Sequence, residues 1–161
     1  TYGLTTGQAS PTSLMGTKTK TTLDGVIDEP INPAQLAISE KAGFVARGFA
    51  GDMPGLTKIM MEAMQHSGFS LVEVLQPCVT FNKLNTYAWF RQRVKPVEKT
   101  AEDKFEGLKM AEWTDKTIYT GVLYKNNRPA FHQQLSQLKE KTLVETTGKK
   151  REISNLLRIF K

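Results

Sequence analysis

Two stretches decide the fold. Phe44-Val45-Ala46-Arg47-Gly48-Phe49-Ala50-Gly51-Asp52 is followed, one helix later, by Gly68-Phe69-Ser70-Leu71-Val72-Glu73-Val74-Leu75-Gln76-Pro77-Cys78. Phe44–Phe49 reads as a short strand, and Phe69–Leu75 as a second one rich in apolar and β-branched residues. Asp52 is placed to cap the helix between them, with Pro54 in its first turn and Gly68 closing it. Leu56, Ile59, Met60, Ala63 and Met64 recur at i, i+3, i+4, i+7 and i+8, the spacing of one apolar helix face. Strand, helix and strand with short joins make a βαβ unit, so the two strands are expected to be parallel and buried. The fold class expected is α/β, with a mainly parallel sheet flanked by helices.

Reading outward, Asn32-Pro33 starts a helix expected to reach about Lys41 and to close at Gly43. Downstream, helices are expected over 86–94, 101–112 and 129–141, and a strand over 117–124. Ile153, Leu156, Leu157 and Phe160 keep helical spacing in a basic tail. Residues 1–31 are rich in Thr, Ser, Gly and Pro and show neither period. A segment of that length without structure of its own is usually a functional loop or a linker. Its low charge favours an ordered binding loop.

The chain has 161 residues, one domain's worth, with 39% hydrophobic and 24% charged residues, enough for a core. No apolar run approaches the roughly 20 residues of a membrane span, so no membrane partner is expected. No secretory leader pattern stands at the start, so a cytoplasmic protein is expected. One cysteine excludes an internal disulfide framework, and any metal site built from this chain's thiolates alone. A net charge of +6 favours acidic partners without choosing among them.

Four features could carry chemistry. Cys78 stands just past the end of a strand, where ligands bind in open parallel sheets. It reads as a buried structural thiol, a nucleophile or one ligand of a shared metal site. A nucleophile needs a base, and no motif brings His66 or His132 to it. The opening run Tyr2–Thr12 has the small and hydroxylated residues that let backbone N–H groups approach an anion, but not the spacing of a Walker loop. Gly16–Thr22 carries Lys18 and Lys20 among threonines, either a solvated loop or a contact for phosphate or an acidic protein. Arg91, Arg93 and Lys95 beside Tyr87, Trp89 and Phe90 could form a cation and ring stripe for nucleic acid. Aromatics at helical spacing are more often core, so nucleic acid is not an expected partner.

Three motifs, in order and in register, resemble the β subunits of 2-oxoacid:ferredoxin oxidoreductases: Tyr2-Gly-Leu-Thr-Thr-Gly-Gln-Ala-Ser-Pro-Thr12, Phe44–Asp52 and Gly68–Asn82. Asn85-Thr86-Tyr87 with Trp89-Phe90 continues the likeness, which covers residues 1 to about 95. Beyond that it rests on Gly121–Tyr124. The resemblance implies part of a thiamine-diphosphate-binding fold over 1–95 and a helical C-terminal extension over 96–161. It implies that the chain corresponds to the C-terminal half of such a subunit.

The implied activity is coenzyme A-dependent oxidative decarboxylation of a 2-oxoacid such as pyruvate or 2-oxoglutarate, with electrons passed to ferredoxin. The implied cofactors are thiamine diphosphate, Mg²⁺ and a [4Fe–4S] cluster. By the same resemblance Thr1, Tyr2, Gly3, Leu4, Thr5 and Gln8 bind the thiamine cofactor, and the Thr1 backbone oxygen reaches Mg²⁺. Leu4 and Thr6 stand near the substrate, although many relatives carry a basic residue at Thr6. Cys78 becomes one thiolate of the cluster, the rest coming from an upstream half that also holds a Gly-Asp-Gly motif. No catalytic residue is assigned within this chain. The implied partners are an α subunit, that upstream half, ferredoxin, coenzyme A and the 2-oxoacid. The alternatives are a related thiamine enzyme acting on aryl pyruvates, a nucleic-acid module centred on Arg91, Arg93 and Lys95, and a non-catalytic scaffold.

Overall fold

A computed structural model describes residues 7–146 and 154–159. The chain divides into two units, Thr1–Arg128 and Pro129–Lys161.

In the first unit, helix α1 (Pro33–Ser39) starts where Asn32 accepts a hydrogen bond from Gln35 N–H. Strand β1 (Phe44–Phe49), helix α2 (Met53–Gln65) and strand β2 (Ser70–Leu75) form the expected βαβ unit, with β1 and β2 parallel. Asp52 caps α2 through Gly55 N–H. Helix α3 (Tyr87–Arg91) leads into a three-residue strand, β3 (Val94–Pro96). Helix α4 (Lys104–Ala111) follows, and then strand β4 (Ile118–Lys125). The sheet order is β2-β1-β4-β3. β4 runs antiparallel to β1 and parallel to β3, so the sheet is mixed, with two of its three pairings parallel.

β1 is central and every one of its residues is buried. Its side chains alternate between two layers, as strand geometry requires. Phe44 and Ala46 meet Leu56 and Ile59 of α2. On the opposite face Val45 joins Ala34 and Ile38 of α1, Ala111 of α4 and Leu123 of β4. α2 lies so close to β1 at Gly48 that a Cβ there would stand 2.5 Å from the Leu56 side chain. At the carboxyl end of β2, Phe49, Leu75, Phe90 and Ile118 make a third cluster.

Several local expectations are corrected. On α2 only Leu56 and Ile59 are buried, with Ala63 packed beside them, while Met60 is 42% and Met64 78% exposed. The sheet covers one side of the helix, and the two methionines lie a step of about 100° around its axis, on the shoulder of that face. α1 ends at Ser39, and Lys41, at φ 65°, makes the reversal assigned to Gly43. Gly43 serves a different end, because a Cβ there would sit 2.5 Å from His66 Nε2. Val94 belongs to β3 rather than to the helix before it.

One charge is wholly inside. Arg47 of β1 is 0% exposed, and its Nε donates to Glu73 Oε2 of β2 at 2.6 Å. The two residues face each other directly in the parallel register. Arg47 Nη2 donates to the Ala111 carbonyl at 2.8 Å, and Nη1 to the Tyr119 carbonyl at 3.4 Å. The guanidinium also lies 5.6 Å from the Trp113 ring centre. Burial pulls the Arg47 pKa down, and the Glu73 carboxylate opposes that.

In the second unit the helix expected over 129–141 is broken. It appears as α5 (Phe131–Gln134) and a 3₁₀ turn (Ser136–Leu138), separated by Leu135 in an extended conformation. Helix α6 (Leu143–Thr146) opens on a reciprocal cap between Thr142 and Glu145. Helix α7 (Ser154–Ile159) falls within the tail expected to be helical; Ile153 and Phe160 lie outside the described residues.

Removing one partner of a buried ion pair leaves an uncompensated charge, at a cost of roughly 3–5 kcal/mol. Glu73→Gln should therefore destabilise the chain by about that amount in urea unfolding. A loss near zero would show that Arg47 is held by its carbonyl contacts alone.

Candidate functional site

β2 delivers its chain to Gln76-Pro77-Cys78 at the carboxyl edge of the sheet, where Pro77 is buried and Cys78 is half-buried. The chain then turns tightly, with Asn82 N–H donating to the Cys78 carbonyl at 3.1 Å. Within this turn the backbone N–H of Phe81 points at the sulfur and lowers the thiol pKa; burial opposes it, and the N–H groups of Thr80 and Asn82 add to the lowering. The sulfur therefore sits in a cradle of donors that favours thiolate. Asn82 stiffens the next step. Its Oδ1 accepts from Leu84 and Asn85 N–H at 2.9 Å each, and its Nδ2 donates to Asn85 Oδ1 at 3.0 Å.

The opening loop is ordered over its described part. Ile31 N–H donates to the Pro11 carbonyl at 2.9 Å, tying the end of the loop back to its beginning. Ser13 N–H reaches the Ser10 carbonyl and Ser10 N–H reaches Ser13 Oγ, both at 2.9 Å. Further along, Gly16 N–H donates to the Val26 carbonyl and Val26 N–H to the Thr17 carbonyl, forming a short ribbon. Thr19 and Thr22 exchange backbone hydrogen bonds, so Lys20 and Thr21 form its two-residue tip.

Loop and strand end meet. Thr12, Ser13 and Leu14 share a cavity of about 150 Å³ with Glu73–Cys78, Asn82, Asn85, Phe90 and Trp113. Two groups in its walls, Asn85 Nδ2 and Trp113 Nε1, are buried with no hydrogen-bond partner among the described residues. An unpaired buried donor costs on the order of 1–3 kcal/mol, so such groups mark a place where an acceptor belongs.

Of the residues singled out by sequence, Cys78 stands at this cavity. Gln8 is exposed. Thr1, Tyr2, Gly3, Leu4, Thr5 and Thr6 lie outside the described residues. His66 packs on Phe44, at 5.6 Å between ring centres, at the start of β1 and so at the opposite edge of the sheet from Cys78. It cannot serve as the base for a Cys78 nucleophile. Burial first, and Lys125 second, lower its pKa. Among the described residues no group of three or more His, Cys, Asp and Glu side chains could hold a metal. No described helix is long and apolar enough to cross a membrane.

Arg93 is taken up internally. It lies 4.1 Å from the Trp89 ring centre and donates to the Trp89 and Asp115 carbonyls at 3.1 Å each. Trp89 itself packs against the cluster around Phe90. The rings and Arg93 are thus part of the packing beside the cavity, while Arg91 and Lys95 are exposed.

The sequence alone gives Asn82 and Asn85 no role and does not mark Trp113. The Asn-x-x-Asn spacing was a usable signal, since an Asn side chain accepts from backbone N–H groups two and three residues on. Nothing local to Trp113 shows that it reaches residues forty positions earlier.

Residues 78–140 match the family model described as the C-terminal part of the pyruvate ferredoxin oxidoreductase β subunit. That match starts at Cys78 and carries the likeness well past residue 95. The chain is 38% identical to a 2-oxoacid:ferredoxin oxidoreductase β subunit of Sulfolobus sp., over 92% of this chain and 56% of the relative. It is 51% identical to the 2-oxoglutarate oxidoreductase subunit KorB of Mycobacterium tuberculosis, over 50% of this chain and 22% of that one. A solved 2-oxoglutarate:ferredoxin oxidoreductase from Magnetococcus marinus, with 2-oxoglutarate, coenzyme A and succinyl-CoA bound, superposes with a TM-score of 0.84 at 30% identity. The superposition covers 99% of this chain and 55% of that one. The chain spans about half the length of the first two curated relatives it matches. With residues 78–140 matched by that family model and relatives aligned over most of its length, the chain belongs to the β-subunit family of 2-oxoacid:ferredoxin oxidoreductases.

Proposed function

We propose that this chain forms the cofactor-holding part of an enzyme that oxidatively decarboxylates a 2-oxoacid. The acyl group passes to coenzyme A and the electrons pass through a [4Fe–4S] cluster to ferredoxin. For each 2-oxoacid the products are CO₂, acyl-CoA, a proton and two reduced ferredoxins. The observation that carries the reading is the Cys78 turn. A half-buried sulfur faced by the N–H groups of Phe81, Thr80 and Asn82 has the environment of an anionic ligand rather than of an apolar structural thiol.

The residues fit such a group. N–H donors aimed at a ligating sulfur stabilise negative charge and help to set the potential of an iron–sulfur site. Asn85 Nδ2 and Trp113 Nε1, in the same walls, are donors that an acceptor on such a group can meet. One cysteine supplies one thiolate, so the other ligands come from the upstream half of the β subunit. Thr1, Tyr2, Gly3, Leu4, Thr5 and Gln8 hold thiamine diphosphate in this reading. The Thr1 carbonyl reaches its Mg²⁺, and Leu4 and Thr6 face the substrate. What supports that placement is the described part of the loop, whose Thr12–Leu14 stretch lies against the strand end that carries Cys78. When bound, thiamine diphosphate stabilises the carbanion left by decarboxylation and the cluster relays single electrons. This chain's share is to hold Cys78 as thiolate, keep the loop against the sheet edge and shield one wall. An α subunit completes the active site.

The test uses the complete enzyme purified without oxygen. It should reduce a small viologen dye in a reaction that needs both a 2-oxoacid and coenzyme A. Cys78→Ser should abolish dye reduction while bound thiamine diphosphate is retained. Full activity in Cys78→Ser would remove the cluster from this residue. A second test reads the cradle directly. In the 161-residue chain alone, Cys78 should react with iodoacetamide at a pH below that needed by free cysteine, because its thiol pKa is lowered. A profile matching free cysteine would contradict the donor arrangement.

A further inference from the structure

Beside the Cys78 turn lies a second hollow, of about 630 Å³, between the Thr-Lys ribbon of the opening loop and residues 81–84. Leu14 and Asn82 border both hollows, so this cleft adjoins the wall that holds Cys78. Its floor and rim include Met15 and Leu84, which are 53% and 58% exposed. The only charged side chains lining it, among the described residues, are Lys18 and Lys83. Lys83 is fixed, since its Nζ donates to the Val79 carbonyl at 2.6 Å. Lys18 rides on the ribbon, which Thr21 ties back to the Gly7 carbonyl at 3.4 Å. A small apolar floor with a rim of one sign of charge is the form of a transient electron-transfer interface, where steering by charge sets the encounter rate.

We propose that this cleft is where an acidic, ferredoxin-type electron carrier docks to collect the electron held next to Cys78. The inference rests on the cluster reading given above and adds the surface. Charge complementarity selects the occupant: two lysines with no lining acid repel a basic partner and attract a carrier with carboxylates around its own cluster. Lys83 follows Cys78 by five positions, so a carrier seated there rests on the segment that carries the sulfur.

The test compares two acceptors on the complete enzyme. Lys18→Glu, and Lys18→Glu with Lys83→Glu, should raise KM for an acidic ferredoxin at least tenfold at low salt, with the difference shrinking as salt is added. Dye reduction should stay within twofold of the unsubstituted enzyme in both variants, as should KM for coenzyme A. Lys18→Glu alone keeps the test independent of any strain at the Cys78 turn. An unchanged ferredoxin KM with normal dye reduction would overturn the docking site. A raised KM for coenzyme A with ferredoxin unaffected would also overturn it and assign the lysines to phosphate. Failure of the unsubstituted enzyme to reduce the dye would overturn the electron-transfer reading and this inference with it.

Discussion

The buried guanidinium of Arg47 is the constraint on which the rest of the structure depends. It sits in the middle of the central strand and binds three neighbours at once: Glu73 on β2, the Ala111 carbonyl at the end of α4 and the Tyr119 carbonyl of β4. The Ala111 carbonyl also accepts from Asn32 Nδ2 at 2.8 Å, and Asn32 caps α1. One charge therefore links three strands and two helices. A cation near the final carbonyls of α4 also complements the dipole of that helix. Such a pair adds little net stability over an apolar packing, but it makes wrong arrangements costly. A one-residue slip of β1 would turn Arg47 toward Leu56 and Ile59 and away from Glu73. Gly121, opposite Arg47 on β4, takes φ +113°, and a Cβ there would lie 2.8 Å from the Val97 side chain.

This constraint reaches the site. Glu73 belongs both to the ion pair and to the wall of the cavity at Cys78. Fixing the register of β1 against β2 fixes where β2 ends, and so where Gln76, Pro77 and Cys78 leave the sheet. Phe49, Leu75, Phe90 and Ile118 then make a rigid base beneath that exit. The sulfur is presented from a short turn on a packed support, with its donors supplied by backbone. Backbone donors lose no side-chain freedom when they bind, so the cradle keeps one geometry.

The βαβ unit was legible because each of its signals is local: a strand period, a helix period, a capping Asp and a closing Gly. The strand-end position of Cys78 followed from the same reading. Its donor cradle did not, since it depends on how residues 79–82 fold back. The mixed pairing of the sheet was also hidden. No local pattern tells that 118–125 returns antiparallel to β1, or that Val94–Pro96 leaves its helix to pair with it. The assignment of Met60 and Met64 to the apolar face failed because periodicity gives the width of a stripe and not how much of it the sheet covers. Arg47 looked like any strand cation. Only its direct opposition to Glu73 shows why a charge is tolerated there. The resemblance to 2-oxoacid:ferredoxin oxidoreductase β subunits rested on long motifs in register, and it pointed to the same edge of the sheet that the packing builds.

The most direct test of the account is the iron and thiamine-diphosphate content of the native complex, purified without oxygen. The account predicts about four irons and one thiamine diphosphate per copy of this chain, with the iron lost and the thiamine kept when Cys78 is replaced by Ser. Thiamine diphosphate without iron in the native complex would contradict it, returning Cys78 to a structural thiol and leaving electron transfer to another subunit.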